Sequence, residues 1–271
     1  MSEVRLGVIG WPVAHSRSPA MQNAALAELG LTDWRFQLLP VAPDVLGEAV
    51  RALPEAGFRG ASVTIPHKEA VIGAVDEVGR EAREIGAVNT LVIADEGQIR
   101  GENTDAPGFI AALPEEPSPG VTATVLGAGG SARAVVWALR NAGADVMVWN
   151  RTFSRAEELA AEFDATPVEA PSGSDILVNC TAAGMDADPF ADLPVTGEQL
   201  ASYGVVVDLV YSGAGELIGA ATEAGCRTVD GIDILVAQGA LAFEMWTGLP
   251  APVGVMEAAA RSGADGGSSA T

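Results

Sequence analysis

The chain has 271 residues, of which 48% are hydrophobic and 19% are charged, and it carries a formal net charge of −21 with a pI near 4.2. This length suits one large or two medium domains, and the composition excludes a disordered chain. The acidic balance excludes nucleic acid and anionic membrane surfaces as expected partners.

The expected location follows from three further features. The apolar stretches are too short to span a membrane, and the N-terminus has no signal-peptide pattern. The cysteines, Cys180 and Cys226, give no disulfide framework. We therefore expect a cytoplasmic protein that makes no contact with membranes.

Helix, glycine and strand recur in this order along the chain. Alanine-rich stretches end in a glycine before an extended run, at Gly30, Gly57, Gly143 and Gly225. Short β-branched runs predict strands over Leu6–Ile9, Ala61–Ile65, Val88–Ile93, Thr122–Leu126, Asp145–Trp149, Asp175–Val178 and Val205–Leu209. Helical spacing predicts helices over Ala20–Leu29, Ala106–Leu113, Arg133–Asn141 and Ile234–Trp246. This alternation predicts an α/β fold with parallel sheets.

Two segments of unusual composition indicate breaks in the organisation of the chain. Leu113–Gly120 contains three prolines and two glutamates, and it predicts a break between domains. Ser262–Thr271 is small and polar, so we expect a disordered tail.

Two serines precede the first predicted helix. Pro19 suits the first helical position and Ser18 the N-cap. This capping role explains Ser18 and leaves Ser16 without a function. Two hydroxyl groups beside a helix N-terminus would instead bind a carboxylate without a cation.

Lys68 is the only lysine, since 14 of the 15 basic residues are arginine. Arginine stays protonated in proteins, whereas lysine can lose its proton when it is buried or lies near other charges. Only the lysine can therefore act as an acid or base near neutral pH. A surface lysine retained by chance is the alternative, and the count alone does not distinguish the two.

Three further polar residues stand where their type is unexpected or ambiguous. Asn89 lies at the start of a strand or within it, where asparagine is disfavoured. Asp105 leads into a helix and is either a functional carboxylate or an N-cap. Gln238 lies among apolar neighbours in a helix, so its amide needs a partner.

A glycine-rich turn between a predicted strand and a predicted helix indicates a dinucleotide site. The motif consists of Gly127, Ala128, Gly129, Gly130, Ser131 and Ala132. Its glycines permit a tight turn and the close approach of a pyrophosphate to the helix N-terminus. A tight turn that binds no ligand is the alternative.

The end of the next predicted strand indicates which cofactor binds. A carboxylate is usual there when NAD is bound, but this strand ends in Asn150, Arg151 and Thr152, and Arg155 follows. Arginine suits a 2′-phosphate, so NADP is preferred. Part of the segment is ordinary helix-start chemistry, because Ser154 and Glu157 fit a capping box.

Segments found in one order along the chain resemble the shikimate dehydrogenase family: GWPVAHSRSP, ASVTIPHKE, IGAVNT, GENTDAPG, VLGAGGSARA, NRT, NCTAAGM, DLVY and GIDILVAQGALAFEMWTG. They cover the chain to about Gly248. The resemblance implies an N-terminal α/β substrate domain with a parallel-rich sheet completed by C-terminal helices, and a Rossmann-like NADP-binding domain, with the active site in the cleft. The implied boundaries are 1–106 with 234–261 for the substrate domain, 107–233 for the NADP-binding domain and 262–271 for a disordered tail.

The resemblance also implies roles for individual residues. Lys68 and Asp105 would be the catalytic pair, and Tyr211 would help to close the carboxylate end of the substrate site. The implied substrate-binding residues are Ser16, Ser18, Thr64, Lys68, Asn89, Asp105, Tyr211 and Gln238. The implied NADP-binding residues are Gly127, Ala128, Gly129, Gly130, Ser131, Ala132, Asn150, Arg151, Thr152, Arg155 and Gly231. No metal is implied.

This chain departs from the family's pattern at three places. The family often has Asn-Pro after the tyrosine, whereas Ser212 and Gly213 follow Tyr211 here, so we expect a more flexible loop. Ile234 stands where a methionine is common, four residues before the glutamine. His67 replaces a frequent phenylalanine, and we interpret it as a packing residue.

The implied activity is the reversible, NADP-dependent reduction of 3-dehydroshikimate to shikimate, in the biosynthesis of chorismate and aromatic amino acids. The alternatives are a quinate or aminoshikimate dehydrogenase, and a non-catalytic regulator that senses NADP or shikimate. The expected partner is this small-molecule substrate, with no nucleic acid, no membrane and a possible homodimer. We interpret Asp186, Asp188 and Asp192 as a solvated loop instead of a metal site.

Overall fold

The structure is a computed structural model that describes residues 3–184, 188–211 and 215–262. The predicted tail after Ser262, the loop residues directly after Tyr211, and Asp186 lie outside these ranges. The chain forms two compact units, Met1–Thr104 with Val236–Thr271, and Asp105–Leu235. Each unit has its own six-stranded sheet, so the protein is a two-domain α/β protein.

Strands and helices alternate along most of the chain. The strands are β1 (Val4–Gly10), β2 (Trp34–Pro40), β3 (Phe58–Val63), β4 (Glu77–Val78), β5 (Thr90–Ile93), β6 (Ile99–Glu102), β7 (Thr122–Leu126), β8 (Asp145–Trp149), β9 (Thr166–Pro167), β10 (Ile176–Asn179), β11 (Val205–Asp208) and β12 (Arg227–Val229). The α-helices are α1 (Ser18–Glu28), α2 (Leu46–Ala52), α3 (Arg80–Ile85), α4 (Asp105–Ala112), α5 (Gly130–Asn141), α6 (Phe153–Glu162), α7 (Glu216–Glu223), α8 (Gly231–Thr247) and α9 (Val253–Ser262). Short 3₁₀ helices cover Pro43–Val45, Ala70–Ala74, Pro189–Ala191 and Gly197–Ser202.

The sheet of the first unit is mixed, with the strand order β2-β1-β3-β5-β6-β4. β1 pairs in parallel with β2 and with β3, whereas β5 is antiparallel to both β3 and β6. The prediction of parallel pairing is wrong for β5. A tight turn joins β5 to β6, with the N–H of Ala94 donating to the carbonyl of Gln98 at 2.9 Å. A turn this short can join only antiparallel strands.

The sheet of the second unit is entirely parallel, with the order β12-β11-β10-β7-β8-β9. This is the Rossmann strand order, and the predicted strands of this unit are confirmed to within one residue. The order reverses between β7 and β10. Ligands of such sheets bind beyond the carboxyl ends of the strands at this point.

Three predicted boundaries in the second unit are wrong. Leu113–Gly120 does not separate the units, because α4 packs against α5 and the division falls after Thr104. α5 begins at Gly130, three residues before the predicted start, because the glycine turn leads directly into the helix. α6 begins at Phe153 with Thr152 as its N-cap, and so Ser154 lies inside the helix instead of capping it.

Within residues 3–184, 188–211 and 215–262, none of the helices combines the length and the hydrophobicity that a transmembrane span requires.

Residues late in the chain complete the core of the first unit. Trp246 in α8 is buried, and its Nε1 donates to the carbonyl oxygen of Leu91 in β5 at 2.8 Å. Its indole also lies 5.8 Å from the ring of Phe36, centroid to centroid. Gly60 in β3 permits this packing, because a Cβ there would overlap the indole and lie 2.5 Å from the carbonyl oxygen of Leu91.

We expect Gly60→Ala to lower the free energy of unfolding by about 1–3 kcal/mol, because the added methyl group overpacks the core. Urea denaturation measures the change. Gly73→Ala is the matched control, since a Cβ there meets open space. The control should be neutral or stabilising by up to about 1 kcal/mol. Equal stabilities of the two variants would contradict the close approach of Trp246 to Gly60.

Candidate active site

Lys68 lies just beyond the carboxyl end of β3, which is parallel to β1. At this edge of the sheet, the N–H of Thr64 donates to the carbonyl of Ile9 at 2.8 Å. The chain then turns, with the N–H of His67 donating to the carbonyl of Thr64 at 2.9 Å. Lys68 is half-buried, and its carbonyl accepts from the N–H of Val88 at 2.8 Å. Backbone hydrogen bonds therefore fix the position of the lysine backbone at this edge.

The residues beside Lys68 are built into the core. His67 is buried, and its Nε2 lies 2.7 Å from the carbonyl oxygen of Val41, which confirms its interpretation as a packing residue. Thr64 is half-buried beside Gly10, where a Cβ would lie 2.5 Å from the threonine methyl group. A glycine at the end of β1 therefore makes room for Thr64.

Asn89 joins three segments of the first unit. It directly precedes β5 and is only 2% exposed. Its Nδ2 donates to the hydroxyl of Thr104 at 3.0 Å and to Oε1 of Gln238 at 3.2 Å. Its Oδ1 accepts from the N–H of Thr104 at 2.7 Å and from the hydroxyl of Thr90 at 3.0 Å. The partner that Gln238 requires is thus Asn89, and the structure brings these two predicted residues together.

The structure corrects the cap that the sequence predicts for α1, beside the two serines. The N-cap of α1 is Arg17, whose carbonyl accepts the first helical hydrogen bond, from Met21. The prediction that Ser18 is the N-cap is therefore wrong by one residue. Instead Ser16 Oγ accepts from the N–H of Ser18 at 3.3 Å. Ser16 thus makes a local hydrogen bond, and the buried Ser18 does not cap the helix. The role of both serines in binding a carboxylate stays a prediction.

Three predicted site residues lie at element ends in the second unit. Asp105 is the first residue of α4, instead of a residue that precedes the helix. Tyr211 is half-buried and follows β11. Gly231 begins α8, and a Cβ there would lie 2.7 Å from the carbonyl carbon and oxygen of Val210. A glycine is therefore required where α8 starts against the segment that leads to Tyr211.

The glycine-rich turn has the geometry that a pyrophosphate site needs. Gly127 has φ of +115°, and its N–H donates to the carbonyl of Trp149 at 2.7 Å. A Cβ on Gly127 would lie 3.2 Å from the carbonyl of Cys180, whereas a Cβ on Gly129 would meet nothing within 4 Å. Open space therefore faces the backbone at Gly129, directly before α5 begins at Gly130. The N–H groups of this first turn and the helix dipole favour an anion.

A pocket of about 230 Å³ lies beside the end of β8 in the second unit. It is lined by Trp149, Asn150, Arg151, Thr181, Ala182, Ala183 and Asp192. Arg151 and Arg155 are exposed, and neither has a carboxylate partner among the residues that the structure describes. The lining by Thr181–Ala183 and Asp192 is not predicted from the sequence. An arginine with an accessible guanidinium beside such a pocket suits a phosphate group.

Sequence reasoning also missed a buried polar pair at the carboxyl edge of the second sheet. Asn179 ends β10 and Asp208 ends β11, and these two residues are register partners. Nδ2 of Asn179 donates to Oδ1 of Asp208 at 2.9 Å. A polar residue that ends each of two apolar strand runs is the signal that could have found them.

Burial raises the pKa of Asp208 to about 6. Asp230 raises it further, whereas the hydrogen bonds from Val210 and Asn179 act in the opposite direction. Asp230 itself caps α8, since its Oδ1 accepts from the N–H groups of the second and third helical residues, at 2.9 and 3.0 Å. Two carboxylates thus lie at neighbouring positions on this edge.

Comparison with known proteins assigns the chain to a family. It matches the Shikimate dehydrogenase substrate binding domain over residues 8–91, Shikimate / quinate 5-dehydrogenase over 116–183, and the Shikimate 5′-dehydrogenase C-terminal domain over 231–261. The shikimate dehydrogenase (NADP(+)) of one strain of Thermus thermophilus is 47% identical, over 96% of this chain and 98% of the relative. The chain belongs to the shikimate dehydrogenase family.

Solved structures of related proteins share the fold. The shikimate 5-dehydrogenase of another Thermus thermophilus strain, in complex with NADP(H) and shikimate, has a TM-score of 0.87 and 41% identity, over 96% of this chain and 99% of that chain. The quinate dehydrogenase of Corynebacterium glutamicum, in complex with NAD, has a TM-score of 0.83 and 30% identity, over 97% of this chain and 100% of that chain. The shikimate dehydrogenase fold therefore serves more than one substrate and cofactor.

The free energy of unfolding of Asp208→Asn, relative to that of the wild type, should increase as the pH rises. The folded protein holds the proton of Asp208 up to about pH 6, and the unfolded chain releases it near pH 3.8. Ionising this carboxyl group therefore costs folding stability as the pH rises through that interval. Between pH 4 and 8 the stability of the variant minus that of the wild type should increase by about 2–2.5 kcal/mol. Urea denaturation at each pH measures this difference, and a constant difference would contradict the raised pKa.

Proposed function

We propose that this protein is an NADP-dependent shikimate dehydrogenase. It reduces 3-dehydroshikimate reversibly to shikimate, in the biosynthesis of chorismate and aromatic amino acids. The observation that carries the proposal is the similarity, along nearly the whole chain, to a shikimate dehydrogenase whose structure contains NADP(H) and shikimate. The direct test follows NADPH oxidation with 3-dehydroshikimate, beside parallel assays with NADH and with dehydroquinate.

Lys68 and Asp105 are the catalytic pair of this proposal. NADPH supplies the hydride for the ketone carbon, and negative charge develops on the carbonyl oxygen. The ammonium group of Lys68 stabilises this charge and donates the proton that completes the alcohol. Asp105 orients the lysine and accepts a hydrogen bond from a substrate hydroxyl group. The half-burial of Lys68 and its fixed backbone support a role that needs a defined position.

The proposed substrate site uses hydroxyl and amide groups. Ser16 and Ser18 bind the carboxylate at the start of α1, and Tyr211 helps to close this end. Thr64, Asn89 and Gln238 bind ring hydroxyl groups together with Asp105. The hydrogen bond between Asn89 and Gln238 supports this assignment, because it holds both amides in one place before any ligand binds.

The residues of the second unit fit NADP. The open backbone at Gly129, with Ala128, Gly130, Ser131 and Ala132, suits the pyrophosphate. Asn150, Arg151, Thr152 and Arg155 would bind the adenosine with its 2′-phosphate, and Gly231 would lie near the nicotinamide. Arg151 lines the pocket beside β8 without a carboxylate partner in the described chain, which supports a role in binding phosphate.

The rival functions differ in testable ways. A quinate dehydrogenase must accept an extra hydroxyl group beside the substrate carboxylate, and the two-serine site favours the less crowded shikimate. A regulator without activity would be expected to lack Lys68 or Asp105, and both are present. The location that we propose is the cytoplasm, in which free cysteines such as Cys180 and Cys226 stay reduced. A homodimer stays a prediction, which light scattering can test. The lack of binding to nucleic acid also stays a prediction.

Lys68→Arg should lower kcat by roughly 10²–10⁴-fold, because arginine keeps the charge but cannot donate the proton. Steady-state kinetics with 3-dehydroshikimate measure the loss, and NADP binding serves as the control for an intact fold. Lys68→Met should lose at least as much activity. Retention of most of the wild-type kcat by the arginine variant would mean that the lysine supplies charge alone.

Arg151→Ala should raise KM for NADP at least about tenfold and leave KM for NAD nearly unchanged, because only NADP carries the 2′-phosphate. Arg227→Ala is the matched control. It also removes one exposed positive charge from the second unit, where Arg227 pairs with Glu115. Equal losses with both cofactors would show that Arg151 supports the adenine or the fold instead.

A further inference from the structure

The pair formed by Asn179 and Asp208 does more than join two strand ends. Both side chains are buried, with exposed fractions of 0% and 4%. Asn179 Oδ1 accepts from the N–H of Thr181 at 3.0 Å and from its hydroxyl at 2.7 Å. The hydroxyl oxygen of Thr181 in turn accepts from the N–H of Ala183 at 3.1 Å. The asparagine thus shapes the loop Thr181–Ala183, which lines the pocket beside β8.

Asp208 shapes the segment Leu209–Tyr211, which follows β11, in the same way. Its Oδ1 accepts from the N–H of Val210 at 3.1 Å, so the chain turns directly after β11. Tyr211 is the next residue. Because the same oxygen also accepts from Asn179, one carboxylate is bonded to both loops, directly to one and through the asparagine to the other.

At this position an ionised carboxylate lowers folding stability more than a neutral side chain would. An asparagine could accept both hydrogen bonds through its side-chain oxygen without placing a charge in the interior. Asp208 instead carries a charge at pH 8 that burial and Asp230 disfavour. Hydrogen bonds to an ionised acceptor are stronger than neutral ones. A choice that costs stability and strengthens the anchoring of two loops is typical of a functional position.

We propose that Asp208 is a positioning residue which, together with Asn179, holds the loop Thr181–Ala183 and the segment Leu209–Tyr211 in their binding positions. Cofactor binding and substrate binding then depend on one buried hydrogen-bonded pair. This inference rests on the proposed function, which places NADP beside the first loop and the substrate carboxylate beside Tyr211.

Protonation should weaken this anchoring at low pH. The groups that contact Asp208 from neighbouring elements are the neutral amide of Asn179 on β10 and the N–H of Val210, and the nearby charge is that of Asp230. Asp230 is itself held by the start of α8 and by Asp233. When the pH falls below about 6, Asp208 gains a proton and both loops lose their ionised acceptor.

Three variants test the proposal through KM values for shikimate and NADP. Asp208→Ala removes the acceptor and should raise both values at least about tenfold. Asp208→Asn keeps an acceptor and should retain several-fold more kcat/KM than the alanine variant. Thr124→Val is the matched control, because it breaks the buried hydrogen bond of 3.0 Å between Thr124 and Ser174 in the same unit, away from the strand ends. The control should leave both KM values unchanged.

The pattern across variants separates positioning from simple loss of stability. Tyr211→Phe should raise KM for shikimate alone and Arg151→Ala that for NADP alone, whereas Asp208→Ala should raise both. Below pH 6 the wild type should show a rise in both KM values that Asp208→Asn lacks. The proposal is overturned if Asp208→Ala keeps both KM values within about twofold of the wild type, whatever its melting temperature.

Two further measurements cover the remaining outcomes. If Asp208→Ala does not fold, the pH profile of Asp208→Asn decides, and a profile identical to that of the wild type would overturn the proposal. If the wild type does not act on shikimate at all, the proposed function fails. NADP binding, followed by the change in tryptophan fluorescence that a ligand beside Trp149 in the pocket would cause, then reports on the loop Thr181–Ala183. The positioning role is overturned if Asp208→Asn binds NADP with the same affinity as the wild type at every pH between 5 and 8.

Discussion

In the first unit, one buried amide connects segments that are far apart in the sequence. Asn89 bonds to Thr90 beside it, to Thr104 after β6 and to Gln238 in α8. In a buried site each of these groups would cost stability without its partner, so the three segments form or separate together. Two of the proposed ring-binding residues, Asn89 and Gln238, therefore belong to one hydrogen-bonded network, which also holds α8 against the sheet of this unit.

The distribution of positive charge follows from the acidity of the chain. With a net charge of −21, most arginines find carboxylates, and at least eight of the 14 do so in the described chain. An arginine without such a partner, such as Arg151, is available for an anionic ligand. Distant carboxylates hardly affect it, because salt screens charges beyond about 8–10 Å. An acidic protein can thus hold a highly charged cofactor locally.

The parts of this fold that the sequence predicts are those with local causes. The turn at Gly127 and the strands around it follow from neighbouring residues. The need of Gln238 for a partner follows from its apolar neighbours, but the identity of that partner, Asn89, does not. The antiparallel pairing of β5 with β3 does not follow either, because other elements separate these two strands in the sequence. The polar residues that end these two apolar runs, Asn179 and Asp208, are visible in the sequence, but their pairing depends on the register of two strands. The shift of the α1 cap from Ser18 to Arg17 is within the precision of any helix end.

The first unit is made from two stretches of chain, and Trp246 is one of the late residues that it requires. Until α8 has been synthesised, the carbonyl of Leu91 lacks the indole N–H that it accepts, and Asn89 lacks Gln238. Asp105–Leu235, by contrast, is continuous and holds its whole sheet. On the ribosome the second unit can therefore fold first. The strands β1 to β6 are made earlier, but their core is complete only after the C-terminal helices have been synthesised.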